Sequence, residues 1–250
     1  MNHLFGKSGL VALREFAAPG TLLGLDYDGT LTPICTHPDD AHLPYEVGNR
    51  LQRLARQRPT LILTGRASAD VRARLGGIEG VEVIGNHGAE TSVLIPPHYL
   101  QRRVAAWREA LEARLAPLEG VSIEDKAYSL SVHYRASPDW DAALTAIREA
   151  TMDLTGARTT GGKAVINVVL AEAPDKGTAL LLACRRAACR RAIYVGDDDT
   201  DEDVFALNRP DEILTVHVGR GEITQAEYYL SDPDEVAQML GLLSDLSRRR

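Results

Sequence analysis

Two short apolar runs in this chain break off into acids. Leu22-Leu23-Gly24-Leu25 leads into Asp26-Tyr27-Asp28-Gly29, and Ala192-Ile193-Tyr194-Val195 leads into Gly196-Asp197-Asp198-Asp199-Thr200-Asp201. A continuous apolar run of this length closed by a turn signal predicts a strand buried on both faces, with the acids at its carboxyl end. The runs Thr60 to Leu63 and Val81 to Ile84 read the same way. Among them, Val47, Leu51 and Leu54 recur at helical spacing after Pro44, and residues 69–75 predict a further helix. Strands alternating with helices imply an α/β fold built on a parallel sheet.

Between Pro96-Pro97 and Pro174 the pattern changes. Helices over 99–115 and 139–154 each precede a pair of strands, the first pair at 121–126 and 129–135 and the second near 158 and over 164–170. Two αββ halves of this kind predict an inserted α+β domain over residues 98–170, with residues 1–97 and 171–250 forming the core it interrupts. Period-two alternation sorts the faces of these strands. Leu130, Val132 and Tyr134 share one side, against Ser129, Ser131, His133 and Arg135 on the other. Glu124 pairs with Lys126, and Lys163 with Asn167, opposite Ala164, Ile166, Val168 and Leu170. One face of the inserted sheet is therefore apolar and the other polar, which by itself is also what a solvated sheet face shows.

The acids define the candidate chemistry. Two anions held two residues apart are costly unless a cation sits between them or they share a proton. A second acid-ended strand implies oxygen ligands converging on a hard cation, most simply Mg²⁺. The carboxyl edge of the strands is also where open α/β sheets place their ligands. Metal-assisted phosphate chemistry is the leading reading.

Four motifs in order, Asp26-Tyr27-Asp28-Gly29-Thr30-Leu31, Leu61-Ile62-Leu63-Thr64-Gly65-Arg66, Asp175-Lys176-Gly177-Thr178-Ala179-Leu180 and the Asp197 cluster, resemble the haloacid dehalogenase superfamily of phosphatases. Within it the closest resemblance is to the trehalose-6-phosphate phosphatases. The resemblance implies a Rossmann-like core with an inserted cap, and hydrolysis of trehalose 6-phosphate through an aspartyl phosphate. It implies Asp26 as nucleophile, Asp28 as general acid and base, and Thr64 and Lys176 as donors to the phosphoryl group. Mg²⁺ is expected at Asp26, the Asp28 backbone carbonyl and Asp197, with Asp201 at the metal or orienting its ligands. Arg66 and the loop carrying Asn86 and His87 are expected to border the substrate, and Glu124, Lys126, Arg135, Lys163 and Asn167 to bind its sugar. Such a mixture of charged groups and amide suits hydroxyls that both donate and accept.

One position departs from the family. The pattern Gly-Lys-x-Val-x-Glu reads here Gly162-Lys163-Ala164-Val165-Ile166-Asn167, with Asn in place of a sugar-binding Glu. An amide loses the charge-assisted bonds a carboxylate makes to hydroxyls. Another glycosyl phosphate is accordingly the second candidate substrate, and a phosphosugar mutase, which keeps the same nucleophile, a third reading.

Composition adds bounds. The chain has 250 residues, 44% of them hydrophobic, and a formal net charge of -7. That charge argues against nucleic acid or an anionic membrane as partner, so an anionic small molecule such as a sugar phosphate must be captured by local cations. Only four of the 28 basic residues are lysine, and three of these, Lys126, Lys163 and Lys176, fall at the positions just named. No segment approaches the roughly 18 apolar residues of a membrane span, and the first residues lack a signal peptide's apolar stretch. A cytoplasmic enzyme, monomeric or weakly self-associating, is expected. The three cysteines are too scattered for a disulfide framework, and Cys184 and Cys189 are expected on different faces of one helix.

Overall fold

The structure is a computed structural model that describes the chain except residues 36–37, 92–94, 163, 220–222 and 249–250, and the side chains of Pro38 and Arg248. Lys163 therefore lies outside the described residues. The chain runs β1 (Asn2–His3), α1 (Lys7–Phe16), β2 (Thr21–Leu25), α2 (Tyr45–Ala55), β3 (Thr60–Leu63), α3 (Ser68–Arg74) and β4 (Val81–Ile84). It continues through α4 (Pro97–Leu115), β5 (Ser122–Asp125), β6 (Ser129–His133), α5 (Trp140–Met152), β7 (Ala157–Gly162) and β8 (Val165–Leu170). It ends with α6 (Lys176–Arg186), β9 (Arg191–Gly196), α7 (Glu202–Phe205), β10 (Ile213–Val218), β11 (Tyr228–Leu230) and α8 (Pro233–Arg248).

Seven strands pair in parallel in the order β1-β11-β10-β9-β2-β3-β4. Alternate residues of each strand feed different cores. Leu23, Leu25, Ile62, Ile193 and Val195 pack with apolar residues of α1, α2, α3 and α8, while Leu22, Leu61, Leu63, Ala192 and Tyr194 pack with α6 and α7. Both faces are covered, which is why these strands read as unbroken apolar runs rather than alternating ones. From β2 the chain moves outward to β3 and β4, then returns to lay β9 on the other side of β2. This reversal opens a crevice at the carboxyl ends of β2 and β9, and Asp26 and Asp197 are the first residues beyond those two strands.

Residues 97–170 build a separate antiparallel sheet, ordered β5-β6-β8-β7. Helices α4 and α5 cover one face through Leu100, Val104, Trp107, Leu111, Ala143 and Ile147, packed on Leu130, Val132, Ile166 and Val168. Asp139 caps α5, its carboxylate accepting from the Ala142 amide at 3.0 Å. The other face is buried at its centre, although Glu124 and Arg135 at its rim stay exposed. Ser129, Ser131 and Asn167 are at most 4% exposed, because this face turns toward the strand ends of the parallel sheet. Ser129 donates to Asn86, and Lys126 Nζ reaches the Gly65 carbonyl at 3.1 Å.

Elements at the two ends of the chain are absent from the sequence reading. Strands β1 and β11 are too short to carry a period, and β10 and α8 complete the sheet and its cover. Helix α6 stops at Arg186, and Ala188 takes a φ of 52°. Cys189 therefore lies beyond the helix, its amide bonded to the Cys184 carbonyl at 2.9 Å, rather than on a second face of it.

Leu111 is fully buried beneath the second sheet. Leu111→Ala is expected to cost about 2–5 kcal/mol in urea unfolding, and a negligible loss would contradict the packing of α4 described here.

Candidate active site at the carboxyl edge of the parallel sheet

The Asp26 amide bonds to the Val195 carbonyl at 2.9 Å, which ties the end of β2 to β9 and fixes where the carboxylate emerges. Lys176, at the start of α6, reaches the same point from across the sheet. Its ammonium donates to Asp26 Oδ1 at 3.0 Å and Asp201 Oδ1 at 2.7 Å, and all three side chains are almost wholly buried. Asp201 Oδ1 also accepts from the Tyr194 hydroxyl at 2.6 Å, and Oδ2 from the amides of Asp197 and Asp198 at 2.9 and 3.0 Å. Both Asp201 oxygens are thus already bonded, and this residue braces Lys176 and the 197–198 turn.

The charges in this cluster do not balance. Burial opposes the charge on Lys176, but Asp201 and Asp26 more than offset it and raise its pKa. Burial also drives the Asp26 pKa well above the usual carboxylate range, helped by Asp201, Asp197 and Asp28 and opposed by Lys176. One ammonium faces two buried carboxylates, with Asp197 beside them. Oxygens of Asp26, Asp197 and Asp201 lie within 4.8 Å of one another. A hard divalent cation fits this donor set and would supply the missing positive charge. Asp26 and Asp197 would hold it, since the Asp201 oxygens are engaged. Gly29 leaves the approach open: its φ is +79°, and a Cβ there would lie 2.0 Å from Asp197 Oδ2.

Asp28 lies further out, with its carboxylate gripped by Arg66 in a fork of 2.6 and 2.8 Å. Thr64 follows β3 and is buried, its hydroxyl oxygen accepting from the Arg66 amide at 3.1 Å. The loop after β4 holds Asn86, His87 and Gly88 at φ values of 51°, 56° and 102°. Two non-glycine residues in left-handed backbone mark stored strain, the kind found where a side chain must be aimed. Asn86 spends its amide inside the protein, donating to Glu90 at 2.6 Å and to the Lys126 carbonyl at 3.4 Å, and accepting from Ser129. His87 is buried against Gly65, and neither ring nitrogen has a hydrogen-bond partner. Burial, with Lys126 and Lys176 nearby, holds its pKa well below the ordinary 6.5, so the imidazole is neutral.

A cavity of about 400 Å³ separates these residues from the second sheet. Asp26, Asp28, Arg66, His87, Lys176 and Asp197 line one side, while Glu124, Lys126, Arg135 and Asn167 line the other. Glu124 accepts from His133 at 2.9 Å, a bond that lowers its pKa. Burial lowers that of Lys126. Asn167 Oδ1 accepts from the Ser131 hydroxyl at 2.6 Å, which directs its amide nitrogen away from that bond. Thr64, Asn86 and Asp201 sit behind the wall rather than in it. The sequence reading put Ser131 and His133 on the polar face without a site role, and missed the helix residues Asp70 and Arg74, which follow Arg66 at steps of four, a spacing that was visible in the sequence.

The trehalose-phosphatase family model matches residues 24–234, a stretch holding every residue of the cluster and the cavity. A trehalose-phosphate phosphatase of Mycobacterium marinum is 35% identical over 242 residues, covering 90% of this chain and 62% of that protein. The chain thus spans less than two thirds of that relative. Trehalose 6-phosphate phosphatase RA3 of Zea mays is 31% identical, covering 88% of this chain and 69% of that protein. Among solved structures, the C-terminal domain of C. albicans trehalose-6-phosphate phosphatase superposes with a TM-score of 0.77 at 24% identity, covering 94% of this chain and 96% of that one. A trehalose-6-phosphate phosphatase related protein gives 0.75 at 26%, covering 92% and 99%. By its sequence and its fold, this chain belongs to the trehalose-phosphatase family.

Proposed function

We propose that this protein hydrolyses trehalose 6-phosphate to trehalose and inorganic phosphate, with Asp26 as nucleophile and residues 98–170 as a cap that reads the sugar. The observation that carries the proposal is the buried Asp26–Lys176–Asp201 cluster opening into a cavity whose far wall is the polar face of the second sheet.

In this reading an Asp26 oxygen attacks phosphorus, the bond from phosphorus to the sugar oxygen breaks, and that oxygen takes a proton from Asp28. Water then attacks the aspartyl phosphate, giving its proton to Asp28 and releasing phosphate and free Asp26. Lys176 holds Asp26 in place and offsets negative charge as it moves between carboxylate and phosphoryl group. Arg66 shifts part of its fork from Asp28 to a phosphoryl oxygen, which frees an Asp28 oxygen to carry the proton. Asp26 and Asp197 would hold Mg²⁺, which would supply the charge neutralisation an anionic nucleophile needs to meet an anionic ester. Glu124, Lys126, Arg135 and Asn167 take the sugar hydroxyls, His87 borders the cavity as a neutral wall, and Lys163 joins the sugar-binding set from the sequence pattern. Closure of the cap excludes water while these contacts form.

A second substrate is favoured by one observation. Asn167 stands where the family pattern has Glu and is locked as an acceptor to Ser131, so it presents a donor where a carboxylate would accept. A glycosyl phosphate other than trehalose 6-phosphate fits that change.

Phosphate release measured over a panel of sugar phosphates is expected to be highest with trehalose 6-phosphate and Mg²⁺ and to vanish with chelator. Release with another glycosyl phosphate alone would transfer the reading to that substrate. Asp26→Asn is expected to remove turnover while leaving the melting profile near that of the parent, and an active variant would overturn the covalent route. Arg135→Ala is expected to lower kcat/KM for the sugar phosphate by roughly 10-fold or more while leaving a small aryl phosphate within about threefold. Equal losses on both would mean that the polar face does not touch the sugar.

A further inference from the structure

The fork between Arg66 and Asp28 is one link in a closed circuit of side chains. Arg66 gives Nε and Nη2 to Asp28, and its Nη1 goes to Asp70 Oδ2 at 2.9 Å. Asp70 Oδ1 accepts from Arg74 Nε at 2.9 Å. Arg74 Nη1 then donates to the carbonyls of Ala41 at 3.0 Å and Asp39 at 3.2 Å. The Ala41 carbonyl also accepts from the Tyr27 hydroxyl at 3.3 Å, and the Arg66 guanidinium carbon lies 5.8 Å from the centre of the Tyr27 ring. Tyr27 precedes Asp28, so the circuit returns to the acid from which it started.

We propose that Asp70 and Arg74 are positioning residues for the reaction, holding Arg66 so that it sets the Asp28 carboxyl for proton transfer and anchoring the 39–41 segment beside the cavity. The proposal rests on the phosphatase reading, in which Asp28 moves the proton. The Asp28 side chain is 40% exposed, whereas those of Arg66 and Arg74 are each 12% exposed. The acid is the more exposed member, and the two arginines are the largely buried frame around it. A single contact would leave the long Arg66 side chain several ways to meet Asp28. The second carboxylate at Asp70 selects the orientation in which Nε and Nη2 face Asp28 together. Asp70 is itself 38% exposed, where ion pairs add little stability, so the value of the contact is geometric. Misplacing a catalytic group by about 1 Å can cost roughly 100-fold in rate.

The test is a leaving-group series. The constant kcat/KM covers events up to the first irreversible step, transfer to Asp26, and a leaving group that departs without a proton does not need Asp28 as acid. For Asp70→Asn and Arg74→Ala, kcat/KM is expected to fall roughly 10- to 100-fold on alkyl phosphates but less than about threefold on 4-nitrophenyl phosphate, with KM little changed. Arg74→Lys, which keeps the charge beside Asp70, is expected to recover part of the loss. Equal losses at both ends of the series, or none at either, in variants that melt like the parent would show that the circuit only holds the fold and would overturn the proposal. If Arg74→Ala does not fold, Asp70→Asn decides alone, because the amide keeps the shape of the side chain. A parent enzyme that releases phosphate from no member of the series would instead overturn the phosphatase reading itself, an outcome distinct from any behaviour of the variants.

Discussion

One ammonium set between buried carboxylates governs the architecture around it. Lys176 comes from the first turn of α6, Asp26 from the end of β2, and Asp201 from the turn after β9, so three parts of the sheet must arrive together for any of these charges to be tolerated. Removing Lys176 would leave two buried carboxylates uncompensated, far more costly than the pairing is stabilising, whereas neutralising one carboxylate leaves the ammonium paired with the other. Tyr194 and the two amides that saturate Asp201 follow from this constraint, since a buried carboxylate must have its oxygens filled. The excess negative charge that remains is the property a dication can use.

The second sheet answers a different requirement. The carboxyl edge of an open parallel sheet is shallow, and a ligand bound there needs walls on more than one side. A polar sheet face turned inward supplies them without a new core facing the site, because its apolar face already has α4 and α5. Hydrogen bonds join the polar face to the parallel sheet, Lys126 to Gly65 and Ser129 to Asn86, and Ala89 of the loop after β4 packs into the apolar cluster of the second sheet.

Much of this was legible in the chain. Buried strands of a covered parallel sheet are unbroken apolar runs, so β2, β3, β4 and β9 stood out, and an Asp directly after two of them marked the edge. Alternation in β6 and β8 separated their faces, yet it could not say what lay opposite. Ser131 and Asn167 look the same in sequence whether they meet water or another sheet, and only the three-dimensional arrangement shows them buried. For the same reason Asn86 was read as facing a ligand, whereas its hydrogen-bonding capacity is used within the protein. The spacing of Arg66, Asp70 and Arg74 was visible, but i,i+4 charge patterns on exposed helices are common, and it acquires meaning only once Asp28 is seen at its end.

The placement of the antiparallel sheet between β4 and α6 has a kinetic consequence. Asp26 and Lys176 are 150 residues apart, and joining such distant points early costs chain entropy that no local contact repays. Folding of residues 97–170 ahead of that contact would shorten the free chain between the partners. On that route the inserted segment would act as a clamp that spares the charged trio a long search for its partners.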